Sequence, residues 1–123
     1  MAPRIQLNKF IRVQTDQIDL NDKSVYVTPT HRAAIIISAL VNNNTSVPQT
    51  ITGSISSNDT NPYSPNQQIN FIKDFQIAPF DAVNIVVNKL VLQEGDNFII
   101  KSDTAAATDV NLTLSILETR NDQ

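Results

Sequence analysis

Apolar residues in this chain recur mostly at every second position, the period of half-buried strands rather than of helices. The cleanest case is 110–117, where Val110, Leu112, Leu114 and Ile116 alternate with Asn111, Thr113 and Ser115. Residues 49–56 alternate Ile51, Gly53 and Ile55 with Thr50, Thr52 and Ser54, and residues 69–77 place Ile69, Phe71, Phe75 and Ile77 together. Residues 81–92 read as one strand with Val83, Ile85 and Val87 on one face, and shorter strands are expected at 24–27 and 97–101. The longest apolar run is 33–41, with Ile35, Ile36 and Ile37 in succession. A strand apolar on both faces is covered twice, either by its own fold or by its core on one side and a neighbouring subunit on the other.

Turn signals separate these runs. They are the Asp19–Asp22 stretch, Pro29, Asn42–Thr45, the Ala78-Pro79-Phe80 break, Gly95 (suited to a positive φ) and the alanine-rich 103–109. Residues 57–68 hold two prolines and no aliphatic side chain, which marks one long loop of the functional kind. Proline corners repeat: Val27-Thr28-Pro29 precedes Ala33, Ile35 and Ile37 as Ile77-Ala78-Pro79 precedes Val83, Ile85 and Val87. The pattern predicts an all-β chain, a single β-sandwich of about eight antiparallel strands, jelly-roll or immunoglobulin-like. Residues 1–20 form an extended N-terminal arm or edge strand and residues 21–120 the sandwich.

Composition sharpens this. Ile, Val and Thr make up 36 of 123 residues, and these β-branched side chains suit a pleated surface. The length fits one domain. Without cysteine there is no disulfide, thiolate metal site or cysteine nucleophile. A net charge of −3 speaks against nucleic acid as partner, and no apolar run is long enough for a membrane helix. The N-terminus lacks the apolar stretch of a signal peptide, so synthesis in the cytoplasm is expected.

Catalytic chemistry has little to work with. His31, beside Arg32, is the lone histidine, and no nucleophile-elbow pattern accompanies it. The acids are scattered; Asp19, Asp22 and Asp59 sit in turns without the spacing of a calcium loop. No glycine-rich phosphate cradle exists. The expectation is no enzyme, no cofactor and no metal. Tyr26, Tyr63 and Phe80 are the aromatic platforms outside the clearest core positions, and Tyr63, between Pro62 and Pro65, is the best placed for a receptor or sugar. Arg4, Lys9 and Arg12 interleave with Ile5 and Leu7 on the arm, which suits either scattered solvated charges or a strand added to a neighbour's edge, with nucleic acid the least favoured contact. Outward positions are rich in Asn, Gln, Ser and Thr, which allow close packing of many copies without like-charge repulsion.

Three stretches carry a more specific likeness: VYVTPTHRAAIIISALVNNNTS, IKDFQIAPFDAVNIV and KLVLQEGDNFIIKSDTAAATDVNLTLSILET. They resemble small virion structural proteins of tailed bacteriophages, notably T4-like phages of marine bacteria and cyanobacteria. Shared features are a Tyr-x-x-Pro opening, an Asn-Thr-Ser-type turn, a Pro-led corner, the Lys89–Asp96 turn and the Leu114–Glu118 ending. The likeness spans 24–118 with a gap at 57–68. His31-Arg32 stands where a Gly-Lys-type turn is common, and Phe80 where a glycine is common. The resemblance implies a non-enzymatic virion protein present in many copies, a neck or tail accessory before a capsid decoration protein. Its partners would be other virion proteins and further copies of itself, with Arg4, Ile5, Leu7, Lys9, Arg12, His31, Arg32, Tyr63 and Phe80 as contacts. The alternative is a small receptor- or carbohydrate-binding module.

Overall fold

A computed structural model describes residues 8–15, 18, 20–58, 61, 65–102 and 109–120. Among the described residues nine strands form two antiparallel sheets: β1 (Asn8–Thr15), β2 (Lys23–Val27), β3 (Arg32–Asn43), β4 (Gln49–Ser56), β5 (Gln68–Ile77), β6 (Asp81–Asn84), β7 (Leu90–Leu92), β8 (Asn97–Ser102) and β9 (Val110–Arg120). One sheet runs β1-β9-β3-β6, with β7 also on β3; the other runs β2-β8-β4-β5. First strand with last, second with eighth, third with sixth and seventh, fourth with fifth: this is the wrapped order of a jelly roll. Both proline corners carry the chain from the four-stranded sheet into the five-stranded one, at Pro29 between β2 and β3 and at Pro79 between β5 and β6.

The inner faces follow the alternation. Ile36, Ala39 and Val41 of β3 and Leu112, Leu114 and Ile116 of β9 are buried against Ile51, Phe98 and Ile100 of the opposite sheet. Gly53 is where the Phe71 ring crosses the sheet; a Cβ there would stand 2.5 Å from Phe71 Cζ. That ring in turn lies 5.4 Å, centroid to centroid, from Phe98.

Two expected regularities fail, each for a local reason. Residues 69–77 alternate irregularly and are unevenly covered, because β5 is the edge of its sheet: Ile77 is buried and Phe71 half-buried, while Ile69 and Phe75, paired with Ile55 and Ile51, are exposed. Two register shifts also interrupt the pairing of β5 with β4. Asp74 sits there at φ 52, its N–H donating to Thr52 Oγ1 at 3.1 Å. Residues 81–92 are two strands rather than one. The Asn84 side chain accepts from the N–H groups of Ala39 and Val86, taking the place of a ladder carbonyl. The chain then turns through Asn88 at φ 67, leaving Val87 exposed. β6 therefore pairs with Leu40–Asn43 and β7 with Ala34–Ile36, on either side of the bulge at Ile37.

Candidate functional site

Three regions collect the residues singled out in the sequence: the two loop ends of the sandwich and the outer face of the five-stranded sheet. At the first end, loops 28–31 and 93–96 exchange backbone hydrogen bonds, Thr28 N–H to Asp96 O and Gly95 N–H to Thr28 O, both 3.0 Å. The His31 backbone N–H donates to the Glu94 carboxylate. Asp96, 5% exposed, accepts from Gln93 N–H at 2.8 Å and from Asn61 Nδ2 at 3.3 Å. Gly95 adopts φ 83, a backbone conformation that favours glycine, and the Asn58 side chain packs over its Cα. Beside the 93–96 turn lies a cleft of about 340 Å³, lined by apolar Ile55, Ile69 and Val91 and by polar Asn61, Gln93 and Asp96. His31 and Arg32 belong to this end; Tyr63, Arg4, Ile5 and Leu7 lie outside the described residues.

Beneath this end lies a buried polar cluster. Tyr26 is 8% exposed, and its hydroxyl donates to Glu118 Oε2 at 2.6 Å, joining β2 of one sheet to β9 of the other. Burial is the main reason its phenol is held well above the ordinary value near 10; the Glu118 hydrogen bond and charge add to this, and the Arg32 charge opposes it. Arg32 is half-buried, with Nη1 enclosed and without a hydrogen-bond partner among the described residues. Tyr26 is thus an internal strut, not the surface platform its place in a short strand suggested.

Phe80 lies at the opposite end. There Asn43, fully buried, donates from Nδ2 to the carbonyls of Val47, Ile77 and Ala78 and accepts from the Thr45 backbone and hydroxyl. One side chain thereby fixes two loops. Phe80 follows at φ 56 with 74% of its surface exposed, and His31 at the first end has φ 62. Both positions where the sequence likeness expects glycine-type turns are left-handed, a conformation that costs a bulky residue about 1–2 kcal/mol.

The third region was only partly legible in sequence. Paired residues on antiparallel strands share a face, so the register gives the outer surface of the five-stranded sheet row by row. Phe10, Leu117, Ile35 and Val91 form one continuous row across β1, β9, β3 and β7. Arg12, Ser115 and Ser38 form the next, then Gln14, Thr113, Leu40 and Asn84, with Asn111, Asn42 and Ala82 after them. Asn8, Thr119 and Ala33 border the other side. Ile37, the extra residue of the β3 bulge, is exposed as well. Arg12 is the one charged residue in these rows. Lys9 pairs with Glu118 and so lies on the opposite parity, exposed at the sheet edge. The signals for this face were Leu117, where the β9 alternation breaks, and the triple isoleucine.

Among the described residues no group of three or more His, Asp or Glu side chains could hold a metal ion. Compared with protein families, curated proteins and solved structures, the chain finds no match.

Proposed function

We propose that this protein is a non-enzymatic structural component of a bacteriophage particle, incorporated in several copies and working by surface contact, with the neck or tail as its address and head decoration as the alternative. The observation that carries the contact mechanism is the outer face of the five-stranded sheet. It has an apolar centre, a rim of Asn, Gln, Ser and Thr, and a single charge in its paired rows. Charge-depleted centres within polar rims are the anatomy of protein interfaces. The particle assignment is supported by the sequence likeness over residues 24–118. The test is quantitative mass spectrometry of purified particles of the phage encoding the chain. Several copies per particle are expected; a chain abundant in infected cells but absent from particles overturns the proposal.

The cleft beside Asp96 favours a second reading, a receptor- or carbohydrate-binding module, because it combines apolar side chains with amide and carboxylate groups. Gln67→Trp fills that cleft from an exposed lining position. Lost adsorption to host cells with intact incorporation would establish the binding module; unchanged adsorption removes it.

The arm contact takes a modified form. Residues 8–15 are an edge strand paired with β9 of the same chain, so deleting residues 2–12 would remove five of its eight residues. Deletion of residues 2–7 is the variant that tests an arm.

A further inference from the structure

The outer face proposed above as a contact surface also indicates what covers it, and this step rests on that reading. We propose that it docks the same face of a second copy, the two five-stranded sheets stacking about a twofold axis parallel to the strands.

Three observations point to a copy of this chain. The first is extent. The face is four strands wide and eight or more residues long, which at ~4.8 Å per strand and ~3.4 Å per residue gives a flat footprint on the order of 500–700 Å². Stable interfaces bury about 800 Å² of accessible surface per partner, and side-chain relief raises the accessible area above the flat footprint. The second is the placement of apolar surface. Phe10 is 77% exposed at one end of the central row and Val91 59% at the other, with half-buried Leu117 and Ile35 between them. A twofold axis along the strands, between β9 and β3, lays Phe10 over Val91 of the partner subunit and Leu117 over Ile35 of the partner subunit. The largest side chain thereby meets the smaller one at both ends of the row. The third is charge. A face evolved for an oppositely charged partner would display charge, whereas this one displays Arg12 alone in its paired rows. The same axis puts the two Arg12 side chains at opposite edges, about 14 Å apart across three strand spacings. That exceeds the screening length of about 8 Å at physiological salt, so no like-charge penalty opposes stacking.

Light scattering on the full chain, from about 1 μM to about 1 mM, should show a concentration-dependent dimer. Phe10→Lys and Val91→Lys each alter an exposed residue and should keep the native circular dichroism, yet weaken the dimer at least about tenfold. Val27→Lys, an exposed apolar position on the other sheet, should leave it intact. Because the chain lacks cysteine, crosslinking gives the orientation. Phe10→Cys mixed with Val91→Cys should form a disulfide-linked dimer under oxidation, more than either variant alone. A monomer across the whole range overturns the inference, as does a dimer broken by Val27→Lys but not by the face variants. Self-crosslinking of Phe10→Cys alone overturns the axis. A dimer found in a chain missing from particles would remove the virion role and leave this inference standing; a monomer found in particles would do the reverse.

Discussion

Replacing Tyr26 by Phe removes a single oxygen from the interior and tests whether the strut between the sheets is real. The Tyr26 hydroxyl donates at 2.6 Å to a carboxylate that is itself 5% exposed. A hydrogen bond to a charged group contributes about 1.5–3 kcal/mol, and here the loss also leaves buried acceptor capacity unmet. Against a total stability on the order of 5–15 kcal/mol, that is a large fraction. For a chain of this length it corresponds to roughly 6–12 °C in Tm. Urea unfolding read by far-UV circular dichroism should show a lower midpoint with an unchanged slope. Glu118→Gln should interact non-additively with Tyr26→Phe in a double-mutant cycle. The pH dependence supplies a second signature. The unfolded phenol ionises near 10, and the folded one is held well above that, chiefly by burial. Below pH 10 both states keep the proton and the contribution is complete. Above it the unfolded state releases a proton that the folded state retains, so stability falls by about 1.4 kcal/mol per pH unit. Tyr26→Phe should flatten that alkaline fall by one proton's worth. A variant within about 0.5 kcal/mol of the parent, with the same alkaline slope, would refute the strut.

Three further substitutions have defined outcomes. Asn43→Ala withdraws the side chain that holds the 44–48 and 78–80 loops and should cost about 2–4 kcal/mol by urea titration. Gly53→Ala drives a Cβ into the Phe71 ring and should cost about 1–3 kcal/mol, with part of the loss recovered by adding Phe71→Leu. Phe80→Gly relieves a left-handed backbone at an exposed site and should raise stability by about 1 kcal/mol. If the exposed ring is a contact, the same variant should enter particles less well, separating stability from function in one assay.

The sandwich was legible because strand period and turn chemistry are local properties. The alternation through Val110, Leu112, Leu114 and Ile116 survives as the inner face of β9, where all four are buried. What escaped depends on pairing across long stretches of chain. The bulges of β5 arise from its fit to β4, and the exposure of Ile69 and Phe75 from its place at the sheet edge. The break after Asn84 arises because its amide docks on Ala39, 45 residues away. Tyr26 looked free because the carboxylate that buries it lies 92 residues downstream. The candidate contacts divided for the same reason: His31 and Arg32 share one loop end with Glu94 and Asp96, Phe80 occupies the other, and Arg12 lies on the sheet between them. The apolar outer row required four strands to be placed in register before it existed as a feature at all.

The claim at the centre of this account is that the outer face of the five-stranded sheet makes the working contact. The most direct measurement is competitive incorporation: parent chain and a folded Val91→Lys variant, co-expressed at equal levels in infected cells and counted in purified particles by mass spectrometry. The account predicts that the variant is excluded by at least about tenfold, as expected for putting a charge into the apolar row of the contact. Equal shares of parent and variant in the particle would contradict it.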